Sequence, residues 1–178
     1  EYDNLNRVIS FGIDIKWRNK VVKLVEDTKP NNILDIATGT GDLAIDLTKT
    51  NARKIVGADI SKEMLKIARN KVNSRNLNGI IEIQLGDAEK LNFQDNYFDA
   101  ITCSFGVRNF DDLSKALQEI KRTLKPNGTF VVLETSNPEK FPFKQIHWLY
   151  IKNIVPFVGR MFSKDKYAYR YLSKSLTK

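Results

Sequence analysis

Four short polar stretches carry residue types that bind and activate ligands. In the first, Asp35-Ile36-Ala37-Thr38-Gly39-Thr40-Gly41-Asp42, two glycines lie between carboxylates just ahead of a helical pattern. Glycines at such a place let a ligand approach backbone N–H groups at a helix start. Gly39, Gly41 and Ala44 also meet the G-x-G-x-x-G/A spacing of dinucleotide sites, with Asp59 following where it suits ribose hydroxyls. A nicotinamide dinucleotide is therefore one reading. Asp35 and Asp42 favour another, because two carboxylates flanking the loop would repel a pyrophosphate and attract a ligand bearing an ammonium and a sulfonium. S-adenosylmethionine is such a ligand.

The other stretches extend this reading. Gly86-Asp87-Ala88-Glu89 offers an Asp and a backbone amide to the exocyclic amine and ring nitrogen of an adenine. Ser104 ends a further apolar run, and Phe105-Gly106-Val107-Arg108-Asn109 comes directly after it. Each polar group thus stands at the carboxyl end of an expected strand, where open α/β sheets hold ligands at a topological switch point.

The elements that must position them are five short runs rich in Ile and Val, alternating with helical patterns, which indicates repeated βα units and a parallel sheet. Strands are expected at 33–37, 54–59, 80–85, 100–104 and 129–134. Between them, 43–49 carries Leu43, Ala44 and Leu47 on one face, and 61–73 carries Met64, Leu65, Ala68 and Val72 at helical spacing, with Ser61 as its cap. A further helix spans about 113–124, stopped by Pro126 and turned by Asn127-Gly128. Residues 2–27 read as a helix in two parts around Gly12.

Composition narrows the function classes. The 178 residues suit one domain with a real core. A single Cys excludes a disulfide framework and a multi-cysteine metal site, and a single His leaves little room for a zinc centre or a His-based triad, so no metal is expected. The net charge of +8 is segregated: residues 141–178 hold 8 of the 29 Lys/Arg, only 1 of the 21 Asp/Glu, and 9 of the 18 aromatics. A basic aromatic tail can stack on nucleic acid. Ile146, Leu149, Ile151, Ile154, Val155 and Val158 between its charges suit a lipid interface or an apolar substrate better. The stretch 141–162, broken by Pro142, Pro156 and Gly159, is too interrupted to span a bilayer.

Several runs together resemble the ubiquinone/menaquinone biosynthesis C-methyltransferases, within the class I methyltransferases. They are Tyr2-Asp3-x-x-Asn6, Trp17-Arg18, the 35–42 loop, Asp59-Ile60-Ser61-x-x-Met64-Leu65 and Gly86-Asp87-Ala88-Glu89. The match continues through Phe105-Gly106-x-Arg108-Asn109, Leu124-Lys125-Pro126-x-Gly128, Leu133-Glu134-x-Ser136-x-Pro138 and Tyr171-Leu172-x-x-Ser175. Asn127 departs from the family's usual Gly. The resemblance implies a Rossmann-like open, mostly parallel sheet in the order 3-2-1-4-5 with helices on both faces. The family's two further strands lie beyond residue 178, so the fifth strand is expected as an edge. It implies a cofactor-binding domain over 1–140 and a basic, aromatic lid over 141–178. It also implies S-adenosylmethionine, converted to S-adenosylhomocysteine, and methylation of a ring carbon in a prenylated benzoquinol or naphthoquinol.

The candidate cofactor contacts are Asp35, Gly39, Thr40 and Gly41 in the loop, Asp59, Ile60 and Met64 after the second strand, Asp87 and Ala88 after the third, and Ser104. Ring methylation needs an electron-rich carbon aimed at the sulfonium methyl and a stabilised quinolate oxygen. Arg108 is expected to hold that oxygen, Asn109 to orient its neighbour, and Tyr2 to hydrogen-bond from an N-terminal segment over the site. No general base stands out; His147, in an apolar stretch, reads as a core or interface residue. Cys103 reads as a buried small hydrophobe, Asp111 and Asp112 as helix caps, and Asp95 and Asn96 as turn residues. The partner expected is a prenylated quinol, with no nucleic acid. The expected location is cytoplasmic, with peripheral membrane contact through 141–178. There Phe143, Ile146, Tyr150 and Ile154 share one helical stripe beside Lys144, Lys152, Arg160, Lys164 and Lys166. A methyltransferase for another small molecule or lipid is the alternative.

Overall fold

The computed structural model describes residues 12–134 and Phe141, Pro142, Gln145, Trp148, Leu149, Lys152 and Asn153. Residues 17–134 form one compact unit, and 1–16 with 135–178 form another. In the second, Lys152 Nζ lies 4.4 Å above the Trp148 ring, within cation–π range. Tyr2, His147, Tyr171 and the whole tail stripe of Phe143, Ile146, Tyr150 and Ile154 lie outside the described residues.

The elements run α1 (Ile13–Glu26), β1 (Asn32–Ile36), α2 (Asp42–Asp46), β2 (Lys54–Asp59), α3 (Lys62–Ser74), β3 (Ile81–Leu85), β4 (Phe98–Ser104), α4 (Leu113–Thr123) and β5 (Leu124–Leu133). The strands form one parallel sheet in the order β3-β2-β1-β4-β5. The expected order holds. Among the described residues β5 is an edge, bonded to β4 alone. With β2 on one side of β1 and β4 on the other, the chain reverses direction of growth at β1, and the crevice opens at the carboxyl ends there.

Strand alternation divides the core. Ile33, Ile55 and Ala100 point to one face, where Val21, Val22 and Val25 of α1 and Leu43, Ala44 and Leu47 cover them. Leu34, Ile36, Val56, Ala58 and Ile101 point to the other, where Ala116 and Ile120 of α4 meet them. Helices on both faces follow, since a parallel sheet buried on both sides needs two apolar covers. The Ser61 hydroxyl accepts from Met64 N–H at 3.3 Å, and the Asp112 carboxylate accepts from Lys115 N–H at 3.0 Å; both are the expected caps.

Two elements differ from expectation by more than two residues, the others by one or two. The helix expected over 43–49 is α2 followed by a 3-10 turn at Leu47–Thr50, because the Thr48 and Thr50 hydroxyls donate back to the Ile45 and Leu47 carbonyls and tighten the chain. The fifth strand begins at Leu124, not 129: Leu124 pairs with Phe98, the chain makes an excursion, and Thr129 resumes pairing with Ala100. Asn127 takes φ 64 within that excursion, a left-handed conformation Asn tolerates well. Of the N-terminal helix, the part after Gly12 is α1, with Gly12 itself at φ 73.

Candidate functional site

The loop from β1 to α2 is bent by three left-handed residues, Ala37 at φ 55, Gly39 at φ 56 and Gly41 at φ 80. For Ala37 this costs about 1–2 kcal/mol, so surrounding bonds must hold it. Thr38 N–H donates to the Ala58 carbonyl at 3.1 Å, Gly41 N–H to the Thr38 carbonyl at 2.9 Å, and the Thr38 hydroxyl to Asp35 Oδ2 at 2.6 Å. The other Asp35 oxygen accepts from the Thr102 hydroxyl of β4 at 2.7 Å.

Asp35 is therefore not at the surface of the loop. It is 1% exposed and straps the loop to two strands from below. Burial pushes its pKa up to about 6 against the opposing pull of the two threonine hydroxyls, with the Asp59 charge adding to the rise. The second flanking carboxylate, Asp42, is ion-paired with Lys71 at 2.7 Å and with Arg18 at 3.9 Å. The expectation of two carboxylates offered to a cationic ligand is thus corrected for both: one is sealed and the other neutralised by cations distant in sequence.

Asp59, ending β2, lies over the same loop. Its Oδ2 accepts from Gly39 N–H and its Oδ1 from Ser61 N–H, both at 2.8 Å. Each carboxylate oxygen has further acceptor capacity, which leaves room for a diol. Ile60, next along, is 73% exposed, an apolar face beside the carboxylate. Past β3, Asp87 Oδ1 accepts from Glu89 N–H at 2.9 Å and shapes the turn that buries Ala88.

The crevice's other half follows β4. Phe105 takes φ 56, and its N–H donates to the Leu133 carbonyl at 2.7 Å. At Gly106 a Cβ would come within 2.5 Å of Ala37 Cβ and 2.9 Å of Cys103 Sγ, so the loops after β1 and β4 are wedged together. Cys103 is buried, as expected, and its thiol is pushed up to about 12, first by burial and then by the Asp35 charge. A short 3-10 turn, Val107–Asn109, then presents Arg108, whose guanidinium forms an ion pair with Glu134 just past β5. Trp17 of α1 lies 6.3 Å from the Phe105 ring.

The structure thus brings Gly39, Thr40, Gly41, Asp59, Ile60, Asp87, Ala88, Ser104, Arg108 and Asn109 to the carboxyl edge of the sheet, with Met64 one turn into α3. Tyr2 lies outside the described residues. Sequence reasoning passed over Glu134, Thr38 and Thr102. The rule that located polar residues at the ends of the first four strands, applied to the fifth, would have found Glu134.

The donor set fits an adenosyl sulfonium ligand. A Cβ built on Gly39 meets nothing within 4 Å, so the bend leaves open space against backbone that any side chain there would fill. Acceptors for a diol, a polar turn for an amine and an apolar Ile60 surface stand around that space.

Comparison with known proteins agrees. The family model described as "ubiE/COQ5 methyltransferase family" matches residues 1–178. A demethylmenaquinone methyltransferase of Bacteroides fragilis is 43% identical over 98% of this chain and 72% of its own length. A protein of the same name from Thermotoga maritima is 46% identical over 99% of this chain and 75% of its own. Among solved structures, the mmp1179 protein of Methanococcus maripaludis, a candidate S-adenosyl-L-methionine-dependent methyltransferase, superposes with a TM-score of 0.67 at 24% identity. That match covers 99% of this chain and 83% of the other, and it shows the shared fold.

Proposed function

The chain belongs to the ubiE/COQ5 methyltransferase family, and from that premise we propose that it transfers the methyl group of S-adenosylmethionine to a ring carbon of a demethylated prenylated naphthoquinol. It is a methyltransferase whose relatives are named for demethylmenaquinone. The observation that carries the substrate reading is Arg108, set by a short turn after β4 with its guanidinium at the edge of the crevice.

Bound S-adenosylmethionine supplies an electrophilic methyl on a sulfonium. This chain's residues hold it as follows: the Gly39-Thr40-Gly41 backbone lines its amino-acid end, Asp59 accepts from the ribose hydroxyls, Ile60 and Met64 cover the adenine, and Asp87 with Ala88 N–H reads the adenine edge. Ser104 adds a hydroxyl at the mouth. Asp35 acts indirectly, by fixing the loop. Arg108 holds the quinol oxygen that becomes negative, Asn109 orients the oxygen beside it, and Tyr2 closes from the N-terminal segment. A planar guanidinium suits such an oxygen because it donates in a fixed fork and stays charged.

A prenylated quinol resides in lipid, so we assign 1–140 to cofactor binding and 141–178, with its net +7, to a lid that touches an anionic bilayer from the cytoplasmic side. No helix among the described residues is long and apolar enough to cross a membrane. Sedimentation with anionic liposomes tests the lid: binding should weaken with salt and with charge reversal at Lys144, Lys152 and Lys164, and equal partitioning of both forms would remove the assignment. The reaction itself is tested with methyl-labelled S-adenosylmethionine and demethylated naphthoquinol and benzoquinol in separate arms. Label on a naphthoquinol ring carbon is expected. Label on oxygen would overturn the reading, and label in the benzoquinol arm alone would reassign the substrate.

A further inference from the structure

Residues 86–97 join β3 to β4 and carry a single antiparallel bridge, between Asp87 and Lys90. A connection of that length without an element of its own loses much backbone freedom on folding and needs outside anchors. The apolar anchors are Ala88 and Leu91, both buried in one cluster with Ala116 and Ile120 of α4. The polar anchors come from the flank of the same helix, where Glu119 and Arg122, three residues apart, share one side. Glu119 Oε2 accepts from Leu91 N–H at 2.9 Å, and Arg122 Nη2 donates to the Leu91 carbonyl at 2.8 Å. One side-chain pair thus holds both backbone groups of Leu91.

Arg122 is fully committed to this task. Its Nη1 donates to the Phe93 carbonyl at 2.8 Å and to Asp95 Oδ1 at 2.6 Å, and its Nε and Nη2 donate to the two Glu119 oxygens at 2.8 and 2.7 Å. With the Leu91 carbonyl, those acceptors take up every N–H of a guanidinium. The hydrogen bond from Arg122 also holds the Glu119 carboxyl below the usual carboxylate range, which keeps it an acceptor for Leu91. At the start of the helix, Glu89 Oε1 accepts from Asp112 N–H at 2.7 Å. On the strand side, Gly86 N–H donates to the Asp59 carbonyl at 3.0 Å. Asp87 and Ala88 lie between these anchors.

We propose that Arg122, with Glu119, is a positioning residue that sets the base preference of the cofactor site, by fixing Leu91 and through it the turn that presents the Asp87 carboxylate and the Ala88 N–H. This rests on the reading of that turn as the adenine site. Adenine offers an amine donor at C6 and an acceptor at N1, which match a carboxylate and an N–H. Hypoxanthine reverses both, with a carbonyl at C6 and a hydrogen on N1. Discrimination between them depends on the fixed spacing of the two protein groups, and a loosened turn admits either base through bridging water. Arg122 acts through Leu91 and not on the base.

The test is Arg122→Lys, which keeps the charge and loses the fork. Calorimetry with S-adenosylhomocysteine and S-inosylhomocysteine gives the preference as a ratio of affinities, in which the ribose and amino-acid contacts cancel. Wild type is expected to prefer adenine by about a hundredfold or more. In Arg122→Lys that ratio should fall about tenfold, through weaker binding of S-adenosylhomocysteine. Amide hydrogen exchange should quicken over 87–93 and stay unchanged in β1 and β4. Glu119→Gln keeps an acceptor for Leu91 N–H and weakens the two-point hold on the guanidinium. It should shift the ratio the same way by less, and it decides the question if Arg122→Lys is too unstable to assay.

An equal loss of both affinities, or faster exchange throughout the sheet, would make Arg122 a residue of global stability and overturn the proposal. An unchanged ratio in both variants would overturn it too. Asp87→Asn keeps the oxygen that takes Glu89 N–H but turns a donor toward the base, so it should collapse the preference. If it does so while Arg122→Lys and Glu119→Gln do not, the positioning role fails alone. If Asp87→Asn leaves the preference intact, the adenine assignment fails and takes the proposal with it, so the two failures are distinguishable.

Discussion

The two halves of the crevice are built by opposite means. Around β1 and β2 the working parts are backbone N–H groups and carboxylates already bonded within the fold, Asp35 to Thr38 and Thr102 and Asp59 to Gly39 and Ser61. Around β4 and β5 they are long side chains, Arg108 and Glu134, partly exposed and paired with each other. The first half is a fixed cradle that a shared cofactor can use in many enzymes. The second can change its chemistry by changing two or three side chains, and the proposed function places substrate choice there.

Substitutions should respect that division. The largest effect is expected at Arg108→Lys, which should lower turnover by about 10²–10³-fold, as loss of an oxyanion donor does, while leaving S-adenosylhomocysteine affinity unchanged. Steady-state kinetics beside calorimetry would decide it. An affinity loss as large as the rate loss would erase the distinction between the halves.

Asp59→Ala should give the mirror image. Losing two hydrogen bonds to a charged acceptor is expected to weaken cofactor binding by about 3 kcal/mol. Calorimetry that finds wild-type affinity would place the ribose elsewhere.

Asp35 should report on the cradle through pH. Its folded pKa of about 6 lies above the unfolded value of 3.8, so the native state binds more protons between them, and its contribution to stability falls as pH rises from 4 to 6. Wild type should lose about 2–3 kcal/mol relative to Asp35→Asn over that window. Urea unfolding of both proteins at pH 4 and pH 7 would measure it, and a pH-independent difference would mean that the carboxyl is not sealed. The smallest effect is expected from Ser61→Ala, which removes the cap of α3 beside Asp59 and should cost about 1 kcal/mol of stability in the same assay.

Strands and helices were legible where side-chain period and caps agree. The short apolar run holding Ile33, Leu34 and Ile36 announced β1, and Ser61 and Asp112 announced two helix starts. The onset of β5 was hidden because Lys125-Pro126-Asn127-Gly128 has turn chemistry and does make an excursion, yet Leu124 has already paired with Phe98. Around the crevice, the residue types at strand ends were readable and their charge states were not. Asp42 is neutralised by Lys71 from 29 residues away, and Asp35 disappears under its own loop. Such facts depend on which elements meet, and spacing along the chain does not carry them.

The wedge between Gly106 and Ala37 sets a rule for how this sequence can drift. The two positions share room for one methyl group, carried by Ala37 at a strained left-handed φ. Gly106→Ala alone would overfill the contact, whereas Ala37→Gly relieves the strain and vacates the space. Together they remove the 2.5 Å contact and leave the new Cβ 2.9 Å from Cys103 Sγ, a smaller shift for the sulfur to absorb. Lineages that place Ala at 106 should therefore carry Gly at 37, and a double-mutant cycle should return a favourable coupling even though neither residue bears a functional group.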